Sequence, residues 1–253
     1  MKVIFDSYYS DVLGERADYT AILPEGAEAL SDIPYIMITH GMTDDLQSWL
    51  RGTHITDYLE GTGFAAILPF AENSYYADMA TGKRYFSQIA YEFPAAMEEK
   101  YRLDKSPGGA FIMGNSMGGY GALKLALSRP GKFTAAVSLS GVTDIVYRFC
   151  DCGFWREDGA ADFGADYMTS LPGSRHDLYA LVAEAERTGE KLPSIWQICG
   201  TEDYLYEDNA RFRSFMSGRA GWDYKYSEDT GAHWWDFWDR MLPSVIGYFK
   251  EKL

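Results

Sequence analysis

The chain has 253 residues, is 47% hydrophobic and 16% aromatic, and carries a formal net charge of −14. That length buries a full core as one α/β domain, and the negative charge argues against nucleic acid and anionic membrane surfaces as partners. No stretch has the length and purity of a membrane span.

The amino terminus enters strand-like sequence at once, with no apolar signal-peptide core, so a cytoplasmic location is expected. Residues 3–9 and 19–23 read as two antiparallel edge strands joined through Leu13-Gly14-Glu15-Arg16. Residues 33–39 open a parallel portion. A helical pattern over 46–59 breaks near Gly52, and 64–68 is a short apolar strand. Residues 84–101 are helical, with Pro94 either kinking the helix or opening a second one. Residues 109–113 and 133–139 are strands, with a helix over 122–127 between them. Residues 195–199 and 222–226 complete the sheet, and 234–252 form a C-terminal helix. Strands alternating with helices predict an α/β fold, a mostly parallel sheet covered on both faces.

The stretch 142–192 breaks this alternation. It is expected to be a cap-like insertion within a single domain spanning 1–253, with an ordinary pair of surface helices as the alternative. Its aromatics Tyr147, Phe149, Phe154 and Trp155 are candidate pocket walls. Cys150, Cys152 and Cys199 are an odd set and read as reduced thiols. Cys150 and Cys152 are too close for an ordinary disulfide and lack a second pair for zinc.

Phe111-Ile112-Met113-Gly114-Asn115-Ser116-Met117-Gly118-Gly119 carries the chemistry. Gly-x-Ser-x-Gly between a strand and a helix is the context of a nucleophile elbow, where a serine sits on a sharp turn and its neighbours must be small. The Met117 amide, next after Ser116, would point at a developing oxyanion. A base and an orienting carboxylate should follow in the order serine, acid, histidine. Of the four histidines only His233 lies late, between a strand and the last helix. Asp203 leaves the carboxyl end of the strand over 195–199 and is the preferred acid, with Glu202, Asp208 and Asp229 as rivals. A second oxyanion donor is expected from the loop after strand 33–39. There Gly41 permits a tight turn, Met42 supplies the amide, and His40 is expected to brace the loop.

These blocks resemble the esterase D and tributyrin esterase group of α/β-hydrolases, close to the carbohydrate esterases that include feruloyl and acetyl xylan esterases. The resemblance rests on four blocks: 114–122, His40-Gly41-Met42 with Trp49 downstream, 200–206 with Asp203, and 231–238 with His233. Asn73-Ser74-Tyr75-Tyr76 is similar to that family's loop near the active site. Asn115 departs from it, standing where relatives more often carry a small or apolar residue.

The resemblance implies the α/β-hydrolase fold and a serine carboxylesterase acting on short acyl esters through an acyl-enzyme, with Ser116, Asp203 and His233 as its triad. Feruloyl or acetyl esters of carbohydrate, or transfer to an alcohol acceptor, are the alternative readings. Gly41, Trp49, Tyr75, Tyr76 and Trp234 are the expected substrate contacts. No metal or organic cofactor is implied. The expected partner is a small-molecule ester, with homo-oligomer formation left open.

Overall fold

The computed structural model describes residues 1–106, 108–152, 156–189 and 192–253. Eight strands among these residues form one sheet: β1 (Lys2–Ser10), β2 (Glu15–Leu23), β3 (Tyr35–Thr39), β4 (Ala65–Pro69), β5 (Ala110–Asn115), β6 (Ala135–Leu139), β7 (Ser194–Gly200) and β8 (Tyr224–Asp229). Their spatial order is β1-β2-β4-β3-β5-β6-β7-β8. The pairs β1/β2 and β2/β4 are antiparallel and all others parallel.

Strands β3 to β6 are buried along their whole length. Their sequences are therefore continuously apolar rather than alternating, because both faces are covered. Alternate residues still divide between two cores. Tyr35, Met37, Ile67, Ile112 and Ile195 face the helices Phe93–Lys100, Met117–Ser128, Leu178–Thr188 and Tyr206–Ser217. Ile36, Ile38, Phe111, Val137 and Trp196 face Ser48–Gly52, Ile55–Leu59 and the long terminal helix Trp235–Lys252. That helix turns Trp238, Leu242, Val245, Ile246 and Phe249 inward at three- and four-residue spacing. Each such side chain contributes about 1.5–3 kcal/mol by leaving water.

Several boundaries differ from the sequence reading. Only β1 of the first two strands is an edge; β2 is enclosed between β1 and β4. β8 starts two residues later than expected, since Trp222 is held aside by its indole N–H bond to Glu186 (3.1 Å). At Pro94 both sequence options leave a trace. The helical segments Tyr85–Ser87 and Phe93–Lys100 are joined by a wider turn over Gln88–Glu92, and Pro94 sits in the first turn of the last segment. Proline has no N–H to offer the carbonyl four residues back. That carbonyl, on Ala90, accepts from the Arg129 guanidinium instead.

The stretch 142–192 contains the helices Tyr147–Asp151, Arg156–Phe163, Tyr167–Ser170 and Leu178–Thr188. Phe149 is buried edge-on to Tyr75 (5.1 Å) and Phe163 (5.2 Å), and Tyr147 lies at the surface under Arg211. Phe154 and Trp155 lie outside the described residues. No disulfide joins Cys150, Cys152 and Cys199; the first and last are buried and Cys152 is exposed. Among the described residues, no helix is long and apolar enough to cross a membrane.

Candidate active site

Ser116 occupies the turn between β5 and the helix Met117–Ser128, with φ 55° and ψ −121°. A non-glycine residue there costs about 1–3 kcal/mol and persists only where its surroundings hold it. The hold is visible. The Ser116 amide donates to Leu139 O (2.9 Å), and its carbonyl accepts from Tyr120 N (3.1 Å) and Val142 N (3.3 Å). The flanking glycines are required by space. A Cβ at Gly114 would lie 2.2 Å from Thr39 Oγ1, and one at Gly118 would lie 2.1 Å from Thr39 O. Without them the helix could not close onto β3 and the serine would lose its position.

Asp203 leaves β7 and His233 follows β8. Neighbouring parallel strands thus bring together residues 30 apart in the chain. His233 Nδ1 lies 2.9 Å from Asp203 Oδ2 and 3.0 Å from Oδ1. The carboxylate is also fixed from its own loop, because Oδ1 accepts from the Leu205 amide (2.7 Å). The rival acids are engaged elsewhere or face solvent: Asp208 pairs with Arg148 and Arg211, and Asp229 lies 3.7 Å from Arg240. Glu202 is exposed. The imidazole is held between the Tyr204 ring (4.5 Å) and the perpendicular Trp238 ring (5.0 Å).

The loop after β3 is tied down from several directions. His40 Nε2 accepts from the Ala71 amide (2.9 Å), so Nδ1 carries the proton and donates to Gly41 O (2.8 Å). Burial holds this imidazole below its ordinary value, in the neutral form. The Tyr76 hydroxyl donates to His40 O (2.9 Å). Gly41 N donates to Asp44 Oδ2 (2.8 Å), and Asn115 Nδ2 reaches the same oxygen at 3.4 Å. A Cβ on Gly41 would come within 3.0 Å of both groups. With Gly41 N occupied, the next amide along the loop is that of Met42, a residue that borders the cleft. Met117 opens its helix, so its own amide has no intrahelical acceptor.

Ser116 and His233 border one cleft of about 370 Å³, together with Gly41, Met42, Tyr75 and Trp234. Two expected contacts are corrected by the structure. Trp49 is 1% exposed and lies behind Trp235, ring to ring at 5.6 Å, because its short helix packs on the terminal helix. Tyr76 is fully buried with its hydroxyl committed to His40. Neither borders the cleft, and neither do Tyr147 and Phe149. The sequence reading missed Thr43, Asp44 and Tyr204 as lining residues. Each sits within two positions of a residue already singled out, which was the available signal.

A family model described as a putative esterase matches residues 10–248. The chain belongs to this esterase family. An acetyl esterase of Caldicellulosiruptor saccharolyticus is 27% identical over 267 aligned positions, covering 99% of both proteins. The fluorophosphonate-binding serine hydrolase F of Staphylococcus aureus superposes with a TM-score of 0.91 at 30% identity, over 98% of each chain. The S-formylglutathione hydrolase of the same organism gives a TM-score of 0.87 at 29% identity, over 99% of this chain and all of that one. The strand order and these neighbours make the architecture an α/β-hydrolase fold. The esterase D resemblance holds at the level of family, and this esterase is a serine hydrolase of carboxylic esters.

Proposed function

We propose that this esterase cleaves short acyl esters with Ser116 as nucleophile, His233 as general base and acid, and Asp203 as the group that orients the imidazole. One observation carries the reading. Asp203 grips Nδ1 with both oxygens, and the same ring borders the cleft that holds the serine of strained φ. Ser116 Oγ attacks the ester carbonyl while His233 Nε2 takes its proton. The imidazolium so formed is stabilised by Asp203 and then protonates the departing alcohol. Water, activated by the same nitrogen, releases the acid. The Met42 and Met117 amides hold the oxyanion, each lowering the barrier by about 3 kcal/mol.

The cleft is compact and partly aromatic, which suits acetyl to hexanoyl groups. We read 142–192 as an insertion in one domain rather than a lipase lid, since none of its described residues borders the cleft. The odd count of three cysteines, with no disulfide among them, favours the reducing cytoplasm.

A panel of p-nitrophenyl esters tests this, run beside methyl ferulate and acetylated xylo-oligosaccharide. Turnover should fall gradually beyond hexanoyl, by about 1 kcal/mol of discrimination per methylene. Ser116→Ala should abolish both turnover and labelling by a fluorophosphonate probe. Preference for long-chain triglyceride with interfacial activation would overturn the proposal. An added alcohol acceptor that diverts most acyl groups from water would favour acyl transfer instead.

A further inference from the structure

A second cavity, about 490 Å³, lies beside the catalytic cleft and shares Thr43 and Asp44 with it. Four carboxylates border it: Asp44, Glu72, Asp158 and Asp162. No lysine, arginine or histidine stands among its described lining residues. Three of the four carboxylates have obvious circumstances. Glu72 is answered by Lys83 Nζ at 2.7 Å, Asp44 accepts from Gly41 N, and Asp158 is exposed to water.

Asp162 is different. It is 2% exposed, and one of its carboxylate oxygens finds no hydrogen-bond donor among the described residues. Leaving a buried acceptor unmatched is costly, and folded proteins do so rarely without a reason at the site. The nearby buried Lys124, whose pKa burial holds well below the usual range, does not resolve it. Lys124 Nζ is committed to the carbonyls of Tyr75 (3.3 Å) and Tyr76 (2.7 Å) and to His176 Nδ1 (2.9 Å). Burial, then Asp158, pushes the Asp162 carboxyl up to about 7, with Lys124 pulling it down. An arriving cation would draw off the remaining proton.

We propose that this cavity is a subsite for a positively charged alkylammonium group carried by the ester. The inference rests on the esterase reading above and names a substrate class for it. Asp44, Asp158 and Asp162, with Glu72 already answered by Lys83, set the sign of the charge. Phe70 and Met79 supply apolar and aromatic surface for the methyl and methylene groups around the nitrogen. The shared Thr43–Asp44 wall sets the two spaces side by side, so a substrate bound in the cleft would carry its charged group over that wall. An ester with an anionic substituent there would meet like charge and be rejected.

The test compares each cationic ester with its uncharged carbon isostere. One pair is choline butyrate and its isostere, with the charge on the alcohol. The other is the methyl ester of trimethylammoniobutyrate and its isostere, with the charge on the acyl group. In the intact enzyme kcat/KM should favour the cation by about tenfold or more in at least one pair, as expected for a partly buried charge contact. Asp162→Asn should cut that ratio at least threefold. Because the ratio is taken within one variant, a general loss of activity cancels. Should Asp162→Asn fail to fold, Asp158→Asn at the exposed rim must lower the ratio and raised salt must weaken it. A ratio at or below one in both pairs overturns the proposal, as does a preference that survives every one of these changes. If the neutral isosteres and p-nitrophenyl butyrate are not hydrolysed at all, the esterase reading itself has failed, which is a distinct outcome.

Discussion

The loops after β3 and β8 each present a histidine near the cleft, and they use it in opposite ways. His40 spends both ring nitrogens on backbone, one on Gly41 O and one on the Ala71 amide. It is stacked on Phe70 at 5.3 Å and 4% exposed. Such a ring can brace a loop but has no lone pair left to take a proton. His233 spends only Nδ1, on Asp203, and shares the cleft with Ser116. On the proposed mechanism His233 can act as base because Asp203 holds one nitrogen and leaves the other for the proton. Proximity to the serine is not enough, and neither is burial.

The largest effect that could break this contrast comes from His233→Ala. It should lower kcat by about 10⁴-fold or more with little change in Tm, since the proton acceptor is lost and the fold is not. Retention of most activity in a steady-state assay would remove His233 from the mechanism. Asp203→Asn should cost about 10³–10⁴-fold. An amide would offer an N–H to Nδ1 and favour the tautomer whose other nitrogen already carries the proton. If Glu202→Gln or Asp229→Asn has the larger effect on kcat, the acid has been misassigned.

His40→Gln sharpens the comparison from the other side. It leaves the Ala71 amide and Gly41 carbonyl poorly matched, each costing about 1–3 kcal/mol, so Tm should drop clearly. Loosening the loop that carries Met42 should lower kcat roughly tenfold through misplaced geometry. The acid limb of the pH–rate profile should stay where it is. A shifted limb would mean that His40 takes part in the proton transfer.

The smallest effect is a slope. Burial holds His40 below its ordinary 6.5. Below that pH the unfolded chain binds a proton that the folded chain refuses. The stability involved is present above 6.5 and lost as pH falls, at up to about 1.4 kcal/mol per pH unit. Denaturant unfolding at pH 6 and pH 5 should therefore show a shallower dependence in His40→Gln than in the unsubstituted protein. Parallel slopes would show that His40 is protonated in the fold.

The sequence alone placed the groups of the proposed mechanism in order along the chain. Gly114, Ser116 and Gly118 between an apolar strand and a helix specify a local turn, and local backbone geometry is legible because it depends on neighbours. The strand end that leads to Asp203 was readable for the same reason, as a short apolar run bounded by Pro193 and Gly200, and His233 by its place between a strand and the last helix. What tertiary structure decided was direction and company. Trp49 and Tyr76 looked like pocket walls and proved to be core, since a residue's type does not say which side of a loop it faces. Lys124 sits in the apolar run Ala122-Leu123-Lys124-Leu125 and would be placed at the surface by charge. In the fold it is wholly buried and binds the carbonyls of Tyr75 and Tyr76, two successive residues with φ near 48°. The unmatched oxygen of Asp162, and the cavity beside the cleft that this residue borders, likewise arise from segments far apart in the chain. Only packing brings such groups together, because burial and hydrogen-bond supply depend on the whole fold rather than on the residues beside them.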